Sequence, residues 1–151
     1  MVVGVIIYGS LDTLTGGYLY DRQLMQHFER SGHSMHLLSL PLRRYPLRLT
    51  DNLTRCLKER LQRVNPDLVL QDELCHPSLI ALNRGLKTDR PMPIVSIVHH
   101  LYCREKRPPL LNLIPTWIEK RYLDTVDGFV FNSRTTCDSV FNLSRHHRPH
   151  V

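Results

Sequence analysis

The sequence has no apolar run long enough to cross a membrane. Its longest apolar stretch, Val2 to Ile7, is interrupted by Gly4 and falls far short of the roughly 20 residues that span a bilayer. The N-terminus also lacks the basic region and the small-residue cleavage site of a secretory signal peptide. We therefore expect a cytoplasmic chain whose first apolar run is a β-strand.

Several motifs of common cofactor sites are missing as well. The four cysteines are scattered without a C-x-x-C pair, which argues against a zinc ribbon and a thioredoxin-like redox site. The segment from Gly9 to Gly17 lacks the G-x-G-x-x-G fingerprint, and no Lys-Ser or Lys-Thr pair follows it. An ordinary NAD dehydrogenase and a P-loop kinase are therefore disfavoured. We expect neither a bound metal nor another cofactor.

Negative charge is scarce relative to positive charge. With 20 Lys and Arg against 14 Asp and Glu, the chain carries a formal net charge of +6 and has a sequence pI near 9.4. This excess predicts an anionic partner, such as phosphate groups, nucleic acid or an acidic membrane surface. Nucleic acid is disfavoured because the sequence contains neither a recognition helix nor an aromatic platform for base stacking.

Short apolar runs alternate with segments of helical periodicity, which is typical of βαβ units. Runs such as Pro93 to Val98 are apolar at nearly every position, as expected when helices cover both faces of a parallel sheet. We predict one Rossmann-like α/β domain with strand order 2-1-3-4-5. Tyr45 to Leu49 is a candidate edge strand, which would change the order to 3-2-1-4-5-6. The five predicted strands are Val2 to Tyr8, Met35 to Leu40, Asp67 to Leu70, Ile94 to Val98 and Gly128 to Phe131.

The intervening segments predict helices with one apolar stripe each. We expect the second helix to begin at a Thr50 or Asp51 cap, and the fourth to run from about Pro115 to Asp124. The predicted buried stripes are Tyr20, Leu24 and Phe28; Leu53, Leu57, Leu61 and Val64; Leu79, Leu82, Asn83 and Leu86; Trp117, Ile118 and Tyr122; and Cys137, Val140 and Phe141.

The first strand leads into a glycine pair, Gly16-Gly17, at the start of a helix. Glycines can adopt dihedrals closed to other residues and let backbone N–H groups approach a phosphate at the positive end of the helix. A plain tight turn explains the pair equally well. In the predicted topology this turn faces the Gln71 to His76 loop across a crevice at the carboxyl ends of the strands.

Two polar segments border this predicted crevice. Gln71 to His76 combines two carboxyl groups, a thiol and an imidazole, although the same residues would also suit a helix terminus. His99-His100 follows the Ile94 strand, and an imidazole there can exchange a hydrogen bond near neutral pH. A loop histidine bonded to backbone is the alternative interpretation of that pair.

A series of short motifs appears in a fixed order along residues 1 to 143. They are the Gly16-Gly17 turn, the helix end at Gly32-His33 followed by a strand, Pro66 to Leu70 leading to Glu73 and Pro77-Ser78-Leu79, Pro93 to His99, and Asp127 to Ser133. In this order and spacing they resemble the N-terminal half of a family-4 glycosyltransferase of the two-Rossmann-domain type called GT-B. Residues 144 to 151 are interpreted as a basic tail or a truncated interdomain linker.

The resemblance implies roles for several residues. Gly16 and Gly17 would lie against the diphosphate of a nucleotide-sugar donor. His99 would contact the donor sugar near its anomeric centre and act as the catalytic residue, with His100 as the less favoured histidine of the pair. Acceptor contacts would come from Tyr18, Glu73, His76 and Arg104.

The resemblance also implies a retaining, metal-independent transfer to a glycan, a lipid-linked or a small-molecule acceptor. The second Rossmann domain of such enzymes has no counterpart in this sequence, so we expect the isolated chain to be inactive without a C-terminal domain or a partner subunit. Basic and apolar residues from Arg104 to Tyr122 could also dock on an anionic membrane at its inner face. The alternative is a non-catalytic module that binds a phosphorylated ligand or a partner subunit.

Overall fold

The computed structural model of the protein describes residues 1–12, 15–89, 91–106 and 108–146. Its centre is a five-stranded parallel sheet in the order β2-β1-β3-β4-β5. This confirms the predicted Rossmann-like fold and its strand order. The strands are β1 (Val2–Tyr8), β2 (Ser34–Leu40), β3 (Leu68–Asp72), β4 (Ile94–Val98) and β5 (Gly128–Phe131).

Helices pack around this sheet and connect its strands. They are α1 (Gly16–Arg30), α2 (Tyr45–Arg48), α3 (Cys56–Val64), α4 (His76–Asp89), α5 (Pro109–Leu123) and α6 (Arg134–Leu143), with short 3-10 helices at Leu49–Leu53, Glu73–Cys75 and Tyr102–Arg104. Among the residues that the structure describes, no helix has the length and apolar character needed to cross a bilayer.

The central strands β1, β3 and β4 are apolar on both faces because the sheet has a core on each side. On one side Val3, Val5 and Ile7 of β1 pack with Tyr18, Leu24 and neighbouring residues of α1. On the other side successive strands contact α3, α4 and α5. That core includes Ile6, Tyr8, Val69, Ile94, Val98, Leu61, Leu79 and Tyr122. Alternate residues of one strand therefore pack into two different hydrophobic cores, one on each face of the sheet.

The predicted extra edge strand is wrong. Tyr45 to Leu49 instead forms α2 and the start of a 3-10 helix, with Pro46 in the first helical turn. Proline fixes a backbone angle suited to a first turn and has no N–H to donate to a sheet ladder. The Tyr45 hydroxyl lies 2.9 Å from Nε2 of His76, so this segment closes over the start of α4.

Two helix boundaries also differ from the prediction. The helix predicted to begin at Thr50 or Asp51 is α3, and it begins at Cys56. Thr54 is extended and separates α3 from the Leu49–Leu53 turn. The helix before β5 begins at Pro109, well before Pro115, which lies inside it. This places Pro115, Ile118, Glu119 and Tyr122 on the buried stripe and turns Trp117 outward, with 57% of its surface exposed. The prediction of a buried Trp117 is therefore wrong.

The beginning of the predicted basic tail contacts the domain. The Arg145 backbone N–H donates to the Asp124 carboxylate at 2.9 Å, and the His146 Nε2 lies 3.0 Å from the Leu123 carbonyl oxygen. Residues 147–151 lie outside the described part of the chain.

The corrected start of α3 predicts that two leucines, which the sequence analysis placed on one buried stripe, contribute very differently to the free energy of unfolding. Leu61 is 1% exposed and Leu53 is 85% exposed. We expect Leu61→Ala to lower the free energy of unfolding by about 2 to 5 kcal/mol, because it leaves a cavity under β1. Leu53→Ala should change it by less than about 0.5 kcal/mol. Chemical denaturation of both variants measures this, and equal losses would contradict the assigned helix boundary.

Candidate functional site

The carboxyl ends of β1, β3 and β4 meet at one edge of the sheet. Tyr8 ends β1 and is followed by Gly9, whose φ of +64° turns the chain out of the strand. Asp72 ends β3, and His99 directly follows β4. Because neighbouring parallel strands in this topology leave a crevice at this edge, the three loops form the candidate site.

Gly17 lies directly against the His99 ring. A Cβ atom on Gly17 would stand 3.1 Å from Cδ2 of His99, closer than side-chain carbons normally approach. The sequence analysis explained the glycine pair by backbone dihedrals closed to other residues, and that reason is wrong. Both glycines have helical dihedrals, and the positive φ angles belong to Gly9 and Gly32. Gly17 is instead required by the close approach of an imidazole.

Gly16 occupies the first position of α1 and has open space beside it. No atom of the described residues lies within 4 Å of the position that a Gly16 Cβ would take. Thr15 caps this helix by accepting a hydrogen bond from the Tyr18 N–H at 3.2 Å. The positive end of the α1 dipole lies beside the His99 ring, a position that suits an anion.

His99 is held by a buried carboxylate. Its Nε2 lies 3.0 Å from Oδ1 of Asp21, which is 1% exposed, and Tyr20 contacts the ring edge-on at 5.4 Å. The hydrogen bond with Asp21 raises the pKa of His99 above its ordinary value, although partial burial opposes the shift. The hydrogen bond therefore stabilises the charged form of the ring relative to a free imidazole, and it fixes the ring orientation from the α1 side.

A second buried acid lies near this pair. Asp72 is 1% exposed, and burial together with the neighbouring Asp21 charge raises its pKa to about 6. One Asp72 oxygen accepts the Leu74 N–H at 3.0 Å. The other Asp72 oxygen and Oδ2 of Asp21 have no hydrogen-bond partner among the described residues. This concentration of negative charge behind His99 favours the imidazolium.

The other predicted site residues differ in accessibility. Tyr18 is buried, and its hydroxyl donates to the Tyr8 carbonyl at 2.8 Å, so it supports the wall of the crevice from inside. His100 is exposed and lies 3.5 Å from a Glu105 carboxylate oxygen. Arg104 is exposed in the 3-10 helix that follows β4.

Glu73 and His76 lie inside the protein and not on the crevice surface. Glu73 is 1% exposed and His76 is fully buried. His76 Nδ1 is 3.0 Å from both the backbone carbonyl and Oε1 of Glu73. Burial lowers the pKa of His76 to about 4, so its ring is neutral at pH 7. We expected the Glu73 and His76 side chains to lie in an open loop, but the 3-10 turn after β3 directs them into the protein interior.

Glu119 of α5 completes this buried cluster. Burial raises the pKa of the Glu119 and Glu73 carboxyl groups to about 8 each. The Glu119 oxygens accept the backbone N–H groups of Tyr102 and Cys103 at 2.6 and 2.9 Å. Glu119 therefore helps to fix the loop that carries Arg104.

The same cluster contains the residues that could hold a cation. One ligand atom each from Glu73, His76 and Glu119 lies within 4.8 Å of the others. Oxygen and nitrogen donors of this kind suit a divalent ion. The Tyr102 and Cys103 N–H groups account for the Glu119 oxygens, whereas neither carboxyl oxygen of Glu73 has a hydrogen-bond partner among the described residues.

Sequence reasoning missed two functional candidates, Asp21 and Glu119. Each is an acid on the apolar face of its helix, three or four residues from buried aromatic side chains such as Tyr18 and Tyr122. An ionisable residue on a buried stripe is costly unless it has a partner. That departure from helical periodicity was the available signal, but it does not identify the partner.

Comparison with protein-family models gives a match to Glycosyltransferase Family 4 over residues 14–151. Comparisons with curated proteins and with solved structures give no match.

The Asp21–His99 contact predicts a lower histidine pKa in Asp21→Asn. The substitution keeps the side-chain shape but removes the charge that stabilises the imidazolium. NMR titration of the His99 ring should show its pKa falling towards or below 6.5, whereas Glu29→Gln on the exposed side of α1 should leave it unchanged. An unaltered His99 titration in Asp21→Asn would contradict this assignment.

The Glu73–Glu119 pair predicts that stability falls as pH rises from about 6.5 to 8. In this window the folded protein keeps a proton that the unfolded chain has already lost, because burial raises both carboxyl pKa values to about 8. His76 opposes this decline near pH 6.5, because the unfolded imidazole still binds about half a proton there while the folded ring is neutral, and its contribution fades as pH rises towards 8. Denaturation across this range should show a shallower decline for Glu119→Gln than for the wild type. Parallel curves would contradict the raised pKa of Glu119.

Proposed function

The chain belongs to glycosyltransferase family 4, and we propose that it forms the acceptor-side half of an enzyme that transfers a sugar from a nucleotide-sugar to an acceptor. The observation that carries the proposal is the contact of Gly17 with a His99 ring paired to buried Asp21. Together they present a cation and a helix N-terminus at the same edge of the sheet.

The chemistry requires stabilisation of the negative charge that develops on the leaving diphosphate. In the proposed arrangement, the first N–H groups of α1 at Gly16 and Gly17 face the diphosphate, and His99 contacts the donor sugar near its anomeric centre. The His99 imidazolium adds a fixed positive charge close to the departing oxygen. We propose that these groups support a retaining, metal-independent transfer.

The acceptor would approach from the loop after β4. Arg104 is the predicted acceptor-side residue that is exposed there, and Tyr18, Glu73 and His76 act from behind the surface. Glu73 supports Glu119, whose carboxyl oxygens hold the N–H groups of the Tyr102–Arg104 turn. In this view the buried acids position the acceptor loop and do not contact the acceptor.

The proposal includes a second domain that binds the nucleotide and closes the crevice, supplied in the same polypeptide or by a partner subunit. A cytoplasmic location is part of the same proposal, and the four free cysteines are compatible with a reducing compartment. The second candidate function is a non-catalytic module that binds a phosphorylated ligand or a partner subunit. The open N-terminus of α1 supports that alternative equally.

A binding experiment on the purified chain tests the proposed site. A panel of nucleoside-diphosphate sugars should include one that shifts the NMR signals of the Gly16 and Gly17 amides and the His99 ring. Gly17→Ala should abolish the response, because its Cβ would displace His99. Gly85→Ala is the matched control, since among the described residues a Cβ at this helical glycine meets only Lys58 Nζ at 3.9 Å.

Turnover separates the two candidate functions. Sugar transfer should appear when the chain is combined with its complementary domain and should be lost in His99→Ala. Ligand binding without transfer in that combination would favour the non-catalytic module. Transfer by the isolated chain would contradict the required second domain, and a response confined to residues far from Gly17 would refute the site.

A further inference from the structure

The buried cluster of Glu73, His76 and Glu119 contains two acids and no cationic side chain. All three residues are at most 1% exposed. Neither oxygen of Glu73 has a hydrogen-bond partner among the described residues, and no Lys or Arg within those residues forms an ion pair with Glu73 or Glu119. The neighbouring His76 ring is neutral at pH 7, because burial lowers its pKa to about 4. A buried carboxyl group is costly without a donor or a cation, so the chemistry of this cluster suits a bound cation.

One turn and one helix bring the three donors together. Glu73 and His76 are three residues apart across the 3-10 turn that follows β3, and side chains at this spacing lie on the same side of such a turn. A Glu-x-x-His spacing also supplies the carboxylate and imidazole ligands of metal sites in helical bundles. Glu119 belongs to α5 and reaches the pair from a distant part of the chain.

The donor set selects the ion. Both free oxygens of Glu73, one oxygen of Glu119 and one nitrogen of His76 make four donor atoms. The atoms from the three residues lie within 4.8 Å of one another. Tetrahedral zinc holds its ligands about 3.5 Å apart, so small side-chain shifts of about 1 Å bring them into range. Zinc accepts nitrogen and oxygen donors together, whereas Mg²⁺ and Ca²⁺ favour oxygen alone.

Hydrogen bonds from outside the cluster orient two of these ligands. The Tyr45 hydroxyl lies 2.9 Å from Nε2 of His76, so a ring that binds an ion through Nδ1 can donate its Nε2–H to the tyrosine oxygen. The Glu119 oxygens accept the N–H groups of Tyr102 and Cys103 and keep further lone pairs. Outer partners of this kind fix the orientation of metal ligands in proteins.

We propose that Glu73, His76 and Glu119 form a structural zinc site, which holds the Tyr102–Arg104 turn against α4 and α5. The charge of the ion balances the two carboxylates. The ligands lie behind the crevice surface, so the ion takes no part in the proposed sugar transfer, and the two proposals fail separately. The sequence analysis expected no bound metal, and this proposal replaces that expectation.

Thermal unfolding of the full chain with added metal tests the site. After treatment with EDTA and its removal, zinc chloride should raise the Tm and saturate at about one equivalent, whereas magnesium chloride should not. Co²⁺ in place of zinc should give the visible absorption of a four-coordinate ion. An unchanged Tm with zinc, or an equal rise with Mg²⁺, would overturn the proposal. The decline of stability predicted between pH 6.5 and 8 belongs to the ion-free chain and is measured in EDTA.

Isosteric variants assign the ligands. Glu73→Gln and Glu119→Gln keep the side-chain shape and remove the charge, and each should weaken zinc binding by at least about 100-fold in competition with a chromophoric chelator. Tyr45→Phe leaves every ligand in place but removes the hydroxyl that orients His76, and it should weaken binding by about 10- to 100-fold. Its result decides the assignment even where a ligand variant does not fold.

Surface variants control for zinc bound elsewhere. Glu59→Gln and His36→Gln change the same residue types at exposed positions, and His147→Gln with His150→Gln removes two imidazoles near the end of the sequence. All three control proteins should bind zinc as the wild type does. Circular dichroism should show that the compared variants are folded. Wild-type affinity in Glu73→Gln and Glu119→Gln, or a loss confined to the controls, would overturn the proposal.

Discussion

The candidate site depends on one contact, the hydrogen bond between buried Asp21 and His99. It joins α1, the helix that follows β1, to the end of β4, and β3 lies between β1 and β4 in the sheet. Gly17 permits the approach because it has no side chain in the way. The buried Asp21 carboxylate is stabilised by its hydrogen bond with His99. The same bond fixes the orientation of the His99 ring at the crevice and stabilises its charged form.

A second set of buried acids organises the opposite wall of the crevice. Glu73 follows β3 and Glu119 belongs to α5, so this buried cluster brings together two elements that are far apart in the chain. Glu119 then holds the turn at Tyr102 and Cys103 through two backbone N–H groups. Neutral His76 and the Tyr45 hydroxyl extend this network to α2. The loops around the crevice are thus ordered by polar groups that never reach its surface.

The sequence predicted the sheet because strand periodicity and the burial of both faces are local properties of each apolar run. Strand order followed from the same pattern and the limited ways of connecting parallel strands. The prediction of an edge strand at Tyr45 to Leu49 was wrong because the composition of this segment suits either a strand or a turn. Its contact with His76 decides between the two. The prediction of a buried Trp117 was wrong because the helix begins at Pro109 and not at Pro115, which changes the residues of the buried stripe.

The site could be predicted only as a location. His99 and the glycine pair were identified by their places at strand and helix ends, but the reason for Gly17 needed the position of a ring that lies far along the chain. Asp21 and Glu119 were missed because their partners come from other elements. Buried pairing is a property of tertiary structure, and no periodicity within one helix encodes it.

Helix α5 links two regions that otherwise share no element. Its inner side carries Glu119, which grips the turn after β4, and its outer side carries Trp117 and Arg121. Because Glu119 holds that turn through two backbone N–H groups, a displacement of α5 would change the position of the turn at the edge of the crevice.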